Sequence, residues 1–200
     1  MEVRVSILSG DVDEAKDQLK IINNKKIGGH LDVIDGEFDK NKTIRPSDIN
    51  LDGDWECHLM VLEPINWIEE CANARIIRVI GQIEKMSNQA QFVEKVQELQ
   101  MEAGLAIDLE TRIEEIDSEA FIWVDRILVM GVKAGKSGQK FESSVVEKIR
   151  DLIELRELRG YGFVIEVDGG VTVKIMEELD KMGVDSVVIN SAFWDGEYEV

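Results

Sequence analysis

A chain of 200 residues, 44% apolar and 32% charged, has the size and balance of one globular domain, expected to span residues 1–200. With 41 acidic against 23 basic residues its formal net charge is −18, which repels phosphate backbones and anionic headgroups, so no nucleic acid and no membrane surface is expected as a partner. Cys57 and Cys71 make no disulfide framework, no stretch approaches the roughly 20 apolar residues of a membrane span, and MEVRVSIL lacks the basic region of a signal peptide; a cytoplasmic location is expected.

Taken in chain order, β-prone runs near 3–8, 29–34, 55–61, 75–80, 104–109, 124–130, 163–168 and 185–190 alternate with amphipathic, charge-rich segments. These segments cover 11–24, 64–73, 87–102, 111–121, 141–159 and 172–182. Along 141–159, Val145, Ile149, Leu152, Ile153 and Leu155 recur near the helical period. Gly104 and Gly183 stand where helices would stop. Eight strands separated by helices imply parallel pairing with both faces covered, and a closed barrel uses all eight in so short a chain. The predicted fold is a compact (β/α)8 TIM barrel. Two connections look abbreviated: 36–54 is mostly polar, and SAFWDGEYEV (191–200) leaves room for a short final helix or none.

Barrel strands alternate inward and outward side chains, and reactive groups gather at the C-terminal strand ends. In the second run His30, Asp32 and Ile34 share one face, with aliphatic Leu31 and Val33 on the other. In the third, His58 and Met60 point inward and Cys57 and Leu59 outward; in the seventh, Asp168 closes the strand. A lone inward histidine is more often a satisfied core residue than a ligand. Here both histidines of the chain fall on inward faces beside strand-end aspartates, a set suited to one divalent ion such as Zn²⁺, Mn²⁺ or Fe²⁺.

Phosphate-binding candidates occupy the later loops. Gly135 and Gly138 bracket a loop after the sixth run that can present backbone N–H groups to an anion. GVKAGKS is no P-loop, having three residues between Gly131 and Gly135 where that motif needs four. The Gly169–Gly170 turn after Asp168 and the pair Asn190–Ser191 lie at the ends of the seventh and eighth strands, where such barrels often hold phosphate.

The segments SILSGD (6–11), HLDVIDGEF (30–38), CHLMVLEP (57–64), VMGVKAGKSGQKF (129–141), IEVDGGV (165–171) and NSAFW (190–194) resemble, in order and spacing, those of the ribulose-phosphate 3-epimerases. That resemblance implies that His30, Asp32, His58 and Asp168 ligate one divalent metal. It also implies that Asp32 and Asp168 are the acid/base pair inverting C3 of D-ribulose 5-phosphate to D-xylulose 5-phosphate through an enediolate. The metal then stabilises the charge that develops on the substrate oxygens. Ser9, Met60 and Met130 look like pocket residues, and Gln139 belongs to the phosphate loop. The phosphorylated ketose is the expected partner, within pentose phosphate metabolism, and a homo-oligomer the expected assembly.

The chain departs from the family pattern in its pocket walls. Ile34 stands where methionine is usual, Ile80 and Gln82 where a histidine and a glutamate are, DLET (108–111) where a proline-containing turn is, and Ala134 where proline is. The phosphate loop reads GKSGQ for GFGGQ, and Asn190 replaces a glycine. These changes leave room for a C3 epimerase of a hexulose phosphate, of the allulose 6-phosphate type, or for a non-catalytic barrel acting as a binding or assembly partner. Lys136 is expected either to place a charge on the substrate phosphate or to be a plain surface lysine.

Overall fold

Period-two alternation closes on itself. Eight parallel strands, β1 (Glu2–Ile7), β2 (Gly28–Ile34), β3 (Trp55–Met60), β4 (Arg78–Gln82), β5 (Glu102–Ile107), β6 (Arg126–Met130), β7 (Val164–Asp168) and β8 (Ser186–Ile189), pair in sequence order, and β8 returns to β1. The computed structural model describes residues 1–136 and 138–199; Ser137 of the glycine loop and Val200 lie outside it. The helices are α1 (Val12–Lys25), α2 (Ile68–Asn73), α3 (Gln89–Glu98), α4 (Ala120–Trp123), α5 (Val145–Arg159), α6 (Val173–Met182) and α7 (Ser191–Trp194). The expected barrel is present, and its last helix is a single turn.

Two apolar layers follow from strand parity. Outward residues such as Leu31, Val33, Cys57, Leu59, Val129 and Val167 pack beneath the helices, where Ile22, Phe92, Ile149 and Leu152 meet them. Each such side chain, fully withdrawn from water, stabilises the fold by about 1.5–3 kcal/mol. Inward residues Ile34, Met60, Ile80, Ala106, Leu128, Met130 and Val188 form a second cluster inside the barrel. Helix starts are fixed by side-chain caps: Asp11 accepts from Asp13 and Glu14 N–H, Asn88 from Gln91 N–H, and Thr172 from Ile175 N–H.

Below the inner apolar cluster the barrel is filled by ions. Arg4, Arg78 and Arg126 enter from β1, β4 and β6, and Glu56 and Glu166 from β3 and β7; all five are buried. Glu56 Oε2 lies 3.0 Å from Arg4 Nε and 3.1 Å from Arg78 Nη1. Glu166 Oε1 accepts from Arg126 Nη1 at 2.8 Å and from Ser186 Oγ at 2.6 Å. Arg4 and Arg126 also reach Glu2 at the outer rim, and Arg4 and Arg78 reach Asp54.

Several expectations need correction. Residues 111–121 are not one helix: a 3₁₀ turn at Ile113–Glu115 precedes the short α4. Gln89 prevents continuity, because its amide donates to Glu115 O at 2.8 Å and accepts from Asp117 N at 2.9 Å. Gly104 ends no helix; it lies within β5, where a Cβ would stand 2.7 Å from Ile80 Cγ1. The stop it was assigned is made by Gln100, whose φ is 62°. The fourth strand begins at Arg78 rather than residue 75, since Arg75 has a φ of 62° and Ile77 N bonds Trp55 O before the ladder starts.

Candidate active site

Register brings the four inward groups together at the C-terminal end of the barrel. β2 pairs with β3 so that Asp32 lies beside His58, and β6 with β7 so that Met130 lies beside Asp168. One ligand atom each of His30, Asp32, His58 and Asp168 fits within 4.8 Å of the others. Asp32 Oδ1 is 3.3 Å from both His30 Nε2 and His58 Nδ1, and Asp168 Oδ2 is 4.0 and 3.9 Å from the same two nitrogens. His58 Nδ1, wholly buried and facing two carboxylates, has no well-directed hydrogen bond. A divalent cation is the partner this donor set fits: two imidazoles and two carboxylates converge, and the unpaired ring nitrogen needs an acceptor for its lone pair. A second group, His30 with Glu56 and Glu166, is also compact, but its carboxylates are already engaged by the floor arginines.

The two aspartates are driven apart in proton affinity. Burial works against ionising Asp32, but the charge and hydrogen bond of His30, and then the nearby His58, outweigh it and hold Asp32 at about 2. Asp168 is pushed up to about 6, first by burial and then by the negative charge of Asp32. Two carboxylates this close cannot both ionise freely, so their proton affinities part. His30 is itself raised well above its ordinary value: burial opposes protonation, and Asp32 and Glu56 overcome it.

Asp32 and Asp168 form part of the wall of a single cavity that also carries Met60, Met130, Gly135, Gly138 and Gln139. Gly169, Gly170, Asn190 and Ser191 complete it, with Lys136 at its edge. The left-handed backbone of Gly170 (φ 68°) turns the chain so closely under the neighbouring loop that a Cβ would sit 2.4 Å from Phe141 N. Gln139 lines the cavity yet turns its amide on its own loop, donating to Lys133 O at 2.7 Å and Lys136 O at 3.0 Å. That loop is held from both sides: Asn41 Nδ2 donates to Gly135 O at 2.9 Å, and Asp108 Oδ1 accepts from Ala134 N at 3.0 Å.

Ser9 is not in the pocket. β1 ends at Ile7, and Ser9 lies in the turn to α1, where its hydroxyl donates to Glu14 Oε2 at 2.5 Å and accepts from Asp11 N at 2.9 Å. The serine that lines the cavity is Ser6, in phase with Arg4 along β1 and bonded through Oγ by Asn190 Nδ2 at 2.8 Å. Parity along β1 was the signal that picks it out. The sequence reading also missed Leu8, Val132, Val171 and Val188, which give the cavity its apolar wall.

The ribulose-phosphate 3 epimerase family model matches residues 2–194. Among curated proteins the chain is similar to the ribulose-phosphate 3-epimerase of Chlamydia muridarum, 34% identical over 82% of this chain and 75% of that protein. It is 30% identical to the ribulose-phosphate 3-epimerase of Bacillus subtilis over 97% and 92% of the two chains. Among solved structures it superposes on 3-hexulose-6-phosphate synthase from Salmonella typhimurium with a TM-score of 0.67, covering 98% and 91% of the chains at 12% identity, a likeness of fold alone. With a match that runs from the first strand to the last helix, the chain belongs to the ribulose-phosphate 3-epimerase family.

Proposed function

We propose that the protein is a metal-dependent isomerase that inverts C3 of D-ribulose 5-phosphate to give D-xylulose 5-phosphate. The observation that carries this reading is the convergence of His30, Asp32, His58 and Asp168, with Asp32 and Asp168 both on the wall of one cavity. His30, Asp32, His58 and Asp168 would hold the ion. A divalent ion bound there supplies positive charge toward the substrate oxygens, where the enediolate's negative charge develops.

One of the two aspartates, ionised, is suited to take the proton from C3; the C–H electrons move into the enediolate. The other aspartate is suited to return a proton to C3 from the opposite face. The reverse reaction exchanges the roles. Met60 and Met130 exclude water beside the reacting carbon. Gly135, Gly138, Gly169, Gly170, Asn190 and Ser191 line the part of the cavity that would take the phosphate, where backbone N–H groups and short polar side chains suit an anion.

Turnover of D-ribulose 5-phosphate by the metal-loaded protein, followed as D-xylulose 5-phosphate formation, tests the proposal, with a chelator expected to abolish it. A panel including hexulose phosphates accompanies the assay. Metal bound without turnover of any of them would overturn the enzymatic reading, and preference for a hexulose phosphate would overturn the substrate.

Lys136 gives a separate expectation. It reaches the edge of the phosphate end of the cavity on a chain of net charge −18. Lys136→Ala is expected to raise KM by about tenfold, the worth of one exposed charge-assisted contact of about 1.4 kcal/mol, with kcat nearly unchanged. An unchanged KM makes Lys136 a surface lysine.

A further inference from the structure

The two histidines meet the ligand point through different nitrogens, and two buried residues behind them account for it. His30 Nδ1 lies 2.6 Å from Glu56 Oε1. A carboxylate oxygen only accepts, and Nε2 also faces one, Asp32 Oδ1, but at 3.3 Å; the shorter contact takes the hydrogen of a neutral ring, so Nδ1 donates to Glu56 and the Nε2 lone pair is left toward Asp32. His58 is turned the other way: Nε2 lies 2.7 Å from Gln82 Oε1, which also only accepts, leaving Nδ1 toward Asp32 and Asp168.

Both supports are buried, but they are held differently. Glu56 is wholly buried, and its second oxygen is fixed by Arg4 and Arg78, so Oε1 is directed at His30. Gln82 is wholly buried too, and among the described residues its side chain makes one hydrogen bond, the one to His58, while its Nε2 has no partner. A buried amide with an unspent donor costs about 1–3 kcal/mol. Nothing in the packing of β4 calls for one, since Ile80 on the same face is satisfied by apolar neighbours. The gain lies in the orientation of His58.

We infer that Glu56 and Gln82 are positioning residues that lock the two histidines in opposite tautomers, so that His30 Nε2 and His58 Nδ1 point at one ion. This rests on the reading of the four-residue set as a metal site. Glu56 backs its histidine with a charge and Gln82 with a neutral dipole, so the second support is the weaker one and the one a substitution can probe without disturbing the floor arginines.

Two measurements test it. Nitrogen-15 spectra of the histidine side chains in zinc-loaded wild-type protein are simple to assign, because the chain has two histidines. The expected pattern is one ring bound through Nε2 with a hydrogen on Nδ1, and the other bound through Nδ1 with a hydrogen on Nε2. Two rings of the same tautomer would overturn the inference, whereas no zinc-induced change in either ring would overturn the metal site itself.

The second measurement is the zinc dissociation constant of Gln82→Leu and Gln82→Glu. Leucine removes the acceptor and the unpaired donor together. Its apoprotein is expected to melt no lower than wild type while binding zinc about 10- to 100-fold more weakly. Glutamate restores an acceptor and is expected to restore affinity. Zinc binding of Gln82→Leu equal to wild type would sink the assignment, as would a fall that Gln82→Glu does not rescue.

Discussion

Replacing Asp168 with asparagine is expected to lower kcat by about 10²–10⁴-fold with little change in KM, the loss typical of removing one general acid/base group. Asparagine keeps the shape and an oxygen that faces the histidines, but it cannot carry a proton between C3 and solvent. Asp32→Asn is expected to cost at least as much, because the same oxygen stands 3.3 Å from both histidines and the substitution loosens them as well. Solvent-deuterium exchange at C3 separates abstraction from inversion. Each single variant retains a carboxylate on one face, so each is expected to exchange the C3 proton of one epimer and not of the other. Undiminished kcat in Asp168→Asn, or exchange into both epimers by one variant, would show that two carboxylates do not divide the work.

The groups on this site were legible in the sequence because strand parity is local. His30 and Asp32 are two residues apart on one strand, so their shared face needs no knowledge of the neighbours. What failed was whatever depended on a boundary or a partner. The serine on the pocket wall is Ser6 rather than Ser9, a difference of one strand end. The fourth strand runs from Arg78 to Gln82 rather than over 75–80, and only its register with β3 brings Gln82 to His58. The broken segment after β5 depends on Gln89, more than 20 residues away in the chain, filling hydrogen bonds that a helix would otherwise make. Helical periodicity carries no trace of that side chain. The floor of the barrel was hidden for the same reason. Arg4, Arg78 and Arg126 occupy inward positions, and only the register between strands brings Glu56 and Glu166 to them.

That floor gives the largest expected effect on stability. Glu56→Ala is expected to destabilise the apoprotein by about 3–5 kcal/mol, since it leaves buried guanidinium groups without their common anion. Arg4 keeps Glu2 and Asp54, and Arg78 keeps Glu102 and Asp54, but these acids are at the exposed rim, where solvent weakens them. Urea unfolding at neutral pH measures the loss. The double variant Glu56→Ala/Arg4→Met is expected to lose less than the sum of its parts, because the second change removes a charge that the first had stranded. The pH dependence has a definite sign. Burial opposes ionisation of Glu56, yet His30 and then Arg4 and Arg126 hold it at about 2, below its ordinary 4.5. A carboxylate lowered on folding stabilises fully above its unfolded value and loses that contribution as pH falls toward the folded one. The gap between wild type and Glu56→Ala should therefore be full above about pH 4.5 and close toward pH 2. A gap that does not narrow with acid would mean that the cavity left by the side chain, rather than the missing charge, is what the barrel feels.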